Sequence, residues 1–131
     1  MDEVAVDFPK VKFVICHLGN PWFRDCMEVV YKNDNVYADI SGLVLGDFSG
    51  SLRGAHAPPA PGDAALGHEP RKVLFGTDWP ISSMESYLGF MDELKLPNKD
   101  KQLLLYENAA KLFKIPVKED TLGLGALLKR I

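Results

Sequence analysis

Apolar positions along the chain fall into short blocks, and the spacing within each block changes from one to the next. Val11-Lys-Phe-Val-Ile-Cys-His17 is short, apolar and β-rich, and it runs into Gly19 and Asn20. That pattern predicts a buried strand. Trp22, Phe23, Cys26, Met27, Val29 and Val30 then recur at helical spacing, with Asn20 as the expected N-cap and Pro21 as the first helical residue. Lys32-Asn-Asp-Asn35 closes that helix, and Val36-Tyr-Ala-Asp-Ile40 reads as a second strand ended by Ser41-Gly42. Val73-Leu-Phe-Gly-Thr-Asp78 reads as a third. Ser82 to Glu85 matches the capping box S-x-x-E, ahead of Met84, Tyr87, Leu88, Met91 and Leu94 at helical spacing. A last helix, about 99 to 113, carries Leu104, Leu105, Ala109 and Leu112, and the opening DEVAVDFP reads as a helix stopped by Pro9.

Strands alternating with helices imply an α/β fold with a parallel sheet and right-handed crossovers. The segment near 50–70 breaks that order. Pro58, Pro59 and Pro61 forbid a regular helix where a parallel crossover normally has one. The domain is expected over residues 1–115, with this irregular Pro/Gly-rich insert inside it and a C-terminal tail at 116–131.

Composition narrows the function classes. The chain has 131 residues and a formal charge of −3, and no basic patch with interleaved aromatics is present. Neither nucleic acid nor a membrane surface is therefore an expected partner. No run approaches the roughly 18 apolar residues of a membrane span. Two cysteines, Cys16 and Cys26, are too few for a disulfide framework. They suit a cytoplasmic protein in which both are buried thiols packed in the core.

Ligands of parallel α/β folds bind at the carboxyl ends of the strands. His17, Asp39 with Ser41, and Asp78 stand at those ends. Strand alternation places His17 with Ile15 and Phe13, and Cys16 with Val14 on the other face. Taken singly, His17 reads as a hydrogen-bonded structural residue and Asp78 as an Asx turn. Taken together at equivalent strand ends, they form a candidate site. Trp22 and Trp79 flank it, Trp22 being read first as a packing residue, and Asn108 is expected to make a structural hydrogen bond.

FPKVKFVICHLGNPW (8–22), NVYADISG (35–42), RKVLFGTDWP (71–80) and ENAAKLF (107–113) together resemble the amidohydrolase-related family. These are metal-dependent hydrolases and decarboxylases that include aminocarboxymuconate-semialdehyde decarboxylase. The resemblance covers about 1–115 without the proline-rich middle. It implies a TIM (β/α)₈ barrel, of which the three strands here would be the sixth to eighth. It implies a hydrolase or decarboxylase acting on a small carbonyl or carboxylate compound, with a divalent metal, zinc first. His17 matches the family's proton-transfer histidine and Asp78 its aspartate metal ligand, with Trp22, Ser41 and Trp79 as candidates for the substrate pocket.

The departures matter as much. The family's His-x-His pair is absent, and the three histidines are His17, His56 and His68. The chain is therefore expected to be the C-terminal three βα units of a barrel, inactive and metal-free by itself. The competing expectation is a non-catalytic remnant or a small interaction module. Residues 54–67, GAHAPPAPGDAALG, depart from the family pattern through either a local frameshift or a genuine divergent loop; His56 and His68 are not expected to bind metal. An open sheet should also expose two edges and an inner face carrying Phe13, Ile15 and Leu74, which makes self-association through those edges an expectation.

Overall fold

The computed structural model describes residues 1–44, 66 and 68–117. Within them a short helix, α1 (Asp2–Asp7), leads to β1 (Phe13–Ile15), α2 (Phe23–Lys32) and β2 (Val36–Asp39). Then come β3 (Val73–Leu74), α3 (Met84–Glu93), and a last helical run. That run begins as α4 (Asn98–Gln102), passes through a π-helical turn (Leu103–Glu107) and ends as α5 (Asn108–Phe113). The strands form one parallel sheet in the order β1-β2-β3. The sheet is open, and the fold is α/β as the pattern predicts. Most of the Pro/Gly-rich segment, His56 with it, and nearly all of the tail lie outside the described residues.

Register decides which face is which. Phe13 pairs with Val36, Ile15 with Ala38, and Ala38 with Val73, so these residues share one face. Val36, Ala38 and Val73 are wholly buried among Met27, Val30, Met91 and Leu104, with Phe13 and Ile15 packed against them. That is the helix-covered face. Val14, Tyr37, Asp39 and Leu74 share the other, and Leu74 stands outside the main core cluster. The expected inner face of Phe13, Ile15 and Leu74 is thus corrected. Only Leu74 belongs there, because strand position sets the face and Leu74 pairs with Asp39.

Three element boundaries differ from expectation, each for a tertiary reason. Helix α2 starts at Phe23 with Trp22 as N-cap, since residues 16–20 form a tight turn closed by the Asn20 N–H on the His17 carbonyl, after which the Trp22 N–H donates to the Gly19 carbonyl, both at 2.9 Å. The capping box at Ser82 is not used. Ser83 caps α3 by accepting the Ser86 N–H at 3.1 Å, while the buried Ser82 hydroxyl donates to the Val44 carbonyl. The third strand ends at Leu74 because the Phe75 N–H leaves the sheet and donates to the Leu104 carbonyl at 3.0 Å, within the π-helical turn.

Side-chain amides fasten the elements. Asn35 Nδ2 donates to the carbonyls of Ala5, Phe8 and Val11 at 3.0–3.1 Å, tying the α1 connection to β2. Asn108 Nδ2 donates to the Pro70 and Val73 carbonyls, both at 2.7 Å, which fixes α5 to β3 and matches its expected structural role. Lys72 Nζ reaches the Val30 and Asn33 carbonyls at the end of α2.

Candidate active site

The site is built around Asp39, the last residue of β2. Its Oδ1 accepts three hydrogen bonds, from the His17 backbone N–H (3.0 Å), the Ser41 N–H (3.0 Å) and the Ser41 hydroxyl (2.5 Å). An ionised carboxylate only accepts, so this donor set suits its charged form. The carboxylate thereby ties the end of β1 to the turn after β2.

His17 reaches this cluster by leaving the strand geometry. His17, Leu18 and Gly19 all take positive φ, at 58°, 48° and 68°. Strand alternation would have kept His17 on the face of Phe13 and Ile15. The left-handed turn instead brings its ring over Gly42, with Nδ1 3.3 Å from the Ser41 hydroxyl. A Cβ on Gly42 would lie 2.0 Å from that Nδ1. Only glycine leaves room for the ring, and Gly42 itself has φ +65°.

The order of groups is carboxylate, hydroxyl, imidazole. In a serine-hydrolase triad the imidazole stands between the other two and takes the hydroxyl proton. Here the Ser41 proton points at Asp39, so Ser41 is not an activated nucleophile.

Cys16 is exposed, which corrects its expected burial in the core; Cys26 is buried as expected. Strand alternation puts Cys16 with Val14 on the face of Asp39, away from the helix-covered face, which is why it is not part of the core. The Asp39 charge pushes the Cys16 thiol above its ordinary range, with partial burial, a hydrogen bond to Asp39 and the Asp78 charge adding to it. That environment disfavours the thiolate, the form that attacks as a nucleophile. Asp78 lies past β3 with φ 60°, and its carbonyl accepts the Ile81 N–H at 2.9 Å. Its charge is also felt by Tyr87, whose hydroxyl is raised mainly by burial and accepts the Leu43 and Val44 N–H groups.

Of the pocket candidates, Ser41 is 8% exposed and belongs to the cluster, whereas Trp22 and Trp79 are 67% and 76% exposed. Trp22 is therefore not a packing residue. Sequence places Asp39 with Ser41 at a strand end, but does not mark Asp39 as the organiser or Gly42 as the seat of the ring. The tandem Asp-x-Ser-Gly at a strand end was the available signal. The described residues also enclose a shallow cavity of about 270 Å³, lined by His68, Arg71 and Lys99, but it lies at the amino end of β3, away from this cluster.

A catalytic zinc site takes three protein ligands. Among the described residues no three His, Cys, Asp or Glu side chains converge to hold a metal ion. Asp39 is already committed to three donors on one oxygen. The residues present do not by themselves fit a complete metal site.

The family model for amidohydrolases matches residues 1–115. No curated protein matches. Among solved structures, the chain is similar to an uncharacterised TIM-barrel protein from Bordetella bronchiseptica, with TM-score 0.68 and 23% identity, covering 86% of this chain and 37% of that one. It is similar to an amidohydrolase from Burkholderia multivorans crystallised with zinc, with TM-score 0.66 and 22% identity over 88% and 48% of the two chains. It is also similar to a dihydroxybenzoic acid decarboxylase from Polaromonas crystallised with manganese and 2-nitroresorcinol, with TM-score 0.56 and 18% identity over 91% and 38%. These likenesses are of fold. The chain spans less than half the length of each of these three structures.

Proposed function

The chain belongs to the amidohydrolase family, and from that premise we propose that it supplies one side of the active site of a metal-dependent hydrolase or decarboxylase. Its substrate would be a small carbonyl or carboxylate compound. The supporting observation is the gathering of His17, Asp39 and Ser41 at the carboxyl ends of β1 and β2, with Asp78 beyond β3. In this reading His17 handles a proton, and Asp39 and Ser41 orient it. Asp78 contributes one carboxylate to a metal centre whose other ligands come from further strands. Trp22 and Trp79 flank the pocket. In this reading the chain by itself is inactive and metal-free, which the lack of three converging donors among the described residues supports.

The transcript upstream of Met1 tests this. An in-frame strand carrying His-x-His is expected, and the protein of that longer frame should bind zinc or manganese and lose the ion in Asp78→Ala. Unrelated upstream sequence, or a longer protein that takes up no metal, would overturn the reading. Either would favour the alternative, a non-catalytic remnant or a small interaction module that binds no metal.

A further inference from the structure

We propose that Asp39 and Ser41 are positioning residues that hold the His17 proton on Nδ1 and leave Nε2 as the lone-pair nitrogen. The argument is one of donor counting. Ser41 has a single hydroxyl proton, and it is given to Asp39 Oδ1 at 2.5 Å. Asp39 cannot return a proton, because it accepts from the His17 and Ser41 N–H groups as well. Toward the imidazole, 3.3 Å away, the Ser41 oxygen is therefore an acceptor. The ring nitrogen facing it must be the donor. A neutral imidazole has one N–H, so the other nitrogen keeps its lone pair.

Gly42 makes the arrangement a built one. Its missing Cβ is the space the ring fills, with Nδ1, Cε1 and Cγ of His17 at 2.0, 2.6 and 2.8 Å from where a Cβ would stand. The device is an outer-shell carboxylate acting through a hydroxyl, the way carboxylates fix the tautomer of working histidines elsewhere. It rests on the proposed function only for the use made of Nε2; the tautomer itself follows from the hydrogen bonds.

The experiment is a long-range proton–nitrogen correlation spectrum of the ¹⁵N-labelled chain, recorded above the imidazole titration range. His17→Gln identifies the His17 signals among the three histidines. The wild-type chain should show a protonated Nδ1 and a lone-pair Nε2. Ser41→Ala and Asp39→Ala should each move proton population to Nε2. Ser41→Thr, which keeps the hydroxyl, should restore the wild-type pattern. A wild-type His17 protonated on Nε2 overturns the proposal whether or not any variant folds. So does an unchanged tautomer in a folded Ser41→Ala. Absence of metal binding by the longer protein would count against the proposed function and leave this spectrum as it is, so the two fail separately.

Discussion

Replacing Gly42 with alanine should show whether the His17 ring is held where the hydrogen bonds place it. The new Cβ would stand 2.0 Å from His17 Nδ1, far inside van der Waals contact, so the ring must leave. Two costs follow. At φ +65° an alanine pays about 1–2 kcal/mol for left-handed backbone. Expelling the ring forfeits the Ser41 hydrogen bond, about 0.5–1.5 kcal/mol. Gly42→Ala should thus cost about 1.5–3.5 kcal/mol in the wild-type background. In a His17→Ala background the ring is gone and only the backbone term remains, about 1–2 kcal/mol. Urea unfolding of the four proteins of this double-mutant cycle, followed by circular dichroism, reads the difference as a coupling of about 1 kcal/mol. Independent sites add to within about 0.3–0.5 kcal/mol. Equal costs of Gly42→Ala in both backgrounds would show that the ring does not occupy the space over Gly42, and the argument for the site's geometry would fall with it.

The remaining predictions concern the frame around the site. Asn108→Ala strips the Pro70 and Val73 carbonyls of their donor and should cost about 2–4 kcal/mol by urea unfolding. Ser83→Ala should cost about 1 kcal/mol as a lost N-cap. Ser82→Ala should destabilise by about 1–3 kcal/mol by orphaning the Val44 carbonyl, although a capping box would have made Ser82 the cap. A thiol reagent should modify exposed Cys16 in the native chain before buried Cys26. Burial pushes the Cys26 thiol up to about 11 from an ordinary 9.0, with the Asp39 charge adding to it. Between those pH values the unfolded chain loses a proton that the folded chain retains, so stability should fall as pH rises from 9.0 toward 11. Cys26→Ala should flatten that part of the pH–stability curve.

The strands and most helices were legible because hydrophobic period is a local signal. What misled the reading was non-local. Ser82 and Ser83 both suit a cap, and the choice falls to Ser83 because the Ser82 hydroxyl bonds a carbonyl 38 residues earlier in the chain. The third strand stops early because the Leu104 carbonyl, in a π-helical turn, takes the Phe75 N–H. The inner face was misassigned because alternation orders residues within one strand but does not relate one strand to the next. That relation came from the pairing of Leu74 with Asp39 and of Ala38 with Val73.

His17 shows why strand-end residues resist such reading. Alternation would put it with Phe13 and Ile15, which pack toward the helices, while Asp39 and Leu74 share the opposite face. A straight strand could not give His17 and Asp39 to one site. Two successive non-glycine residues in left-handed backbone, His17 and Leu18, break the alternation and carry the ring across. Such residues cost about 1–3 kcal/mol each and persist only where the surroundings hold them. Among the described residues four non-glycine positions have positive φ: His17, Leu18, Asp78 and Lys114. Three of these lie just past the ends of β1 and β3, beside the Asp39 cluster. Strain gathered at the carboxyl ends of a parallel sheet, rather than spread over its loops, is what a site requires when its side chains must come from both faces. The backbone at His17 and the missing side chain at Gly42 are therefore two halves of one adaptation, and changing either should release the imidazole from Ser41.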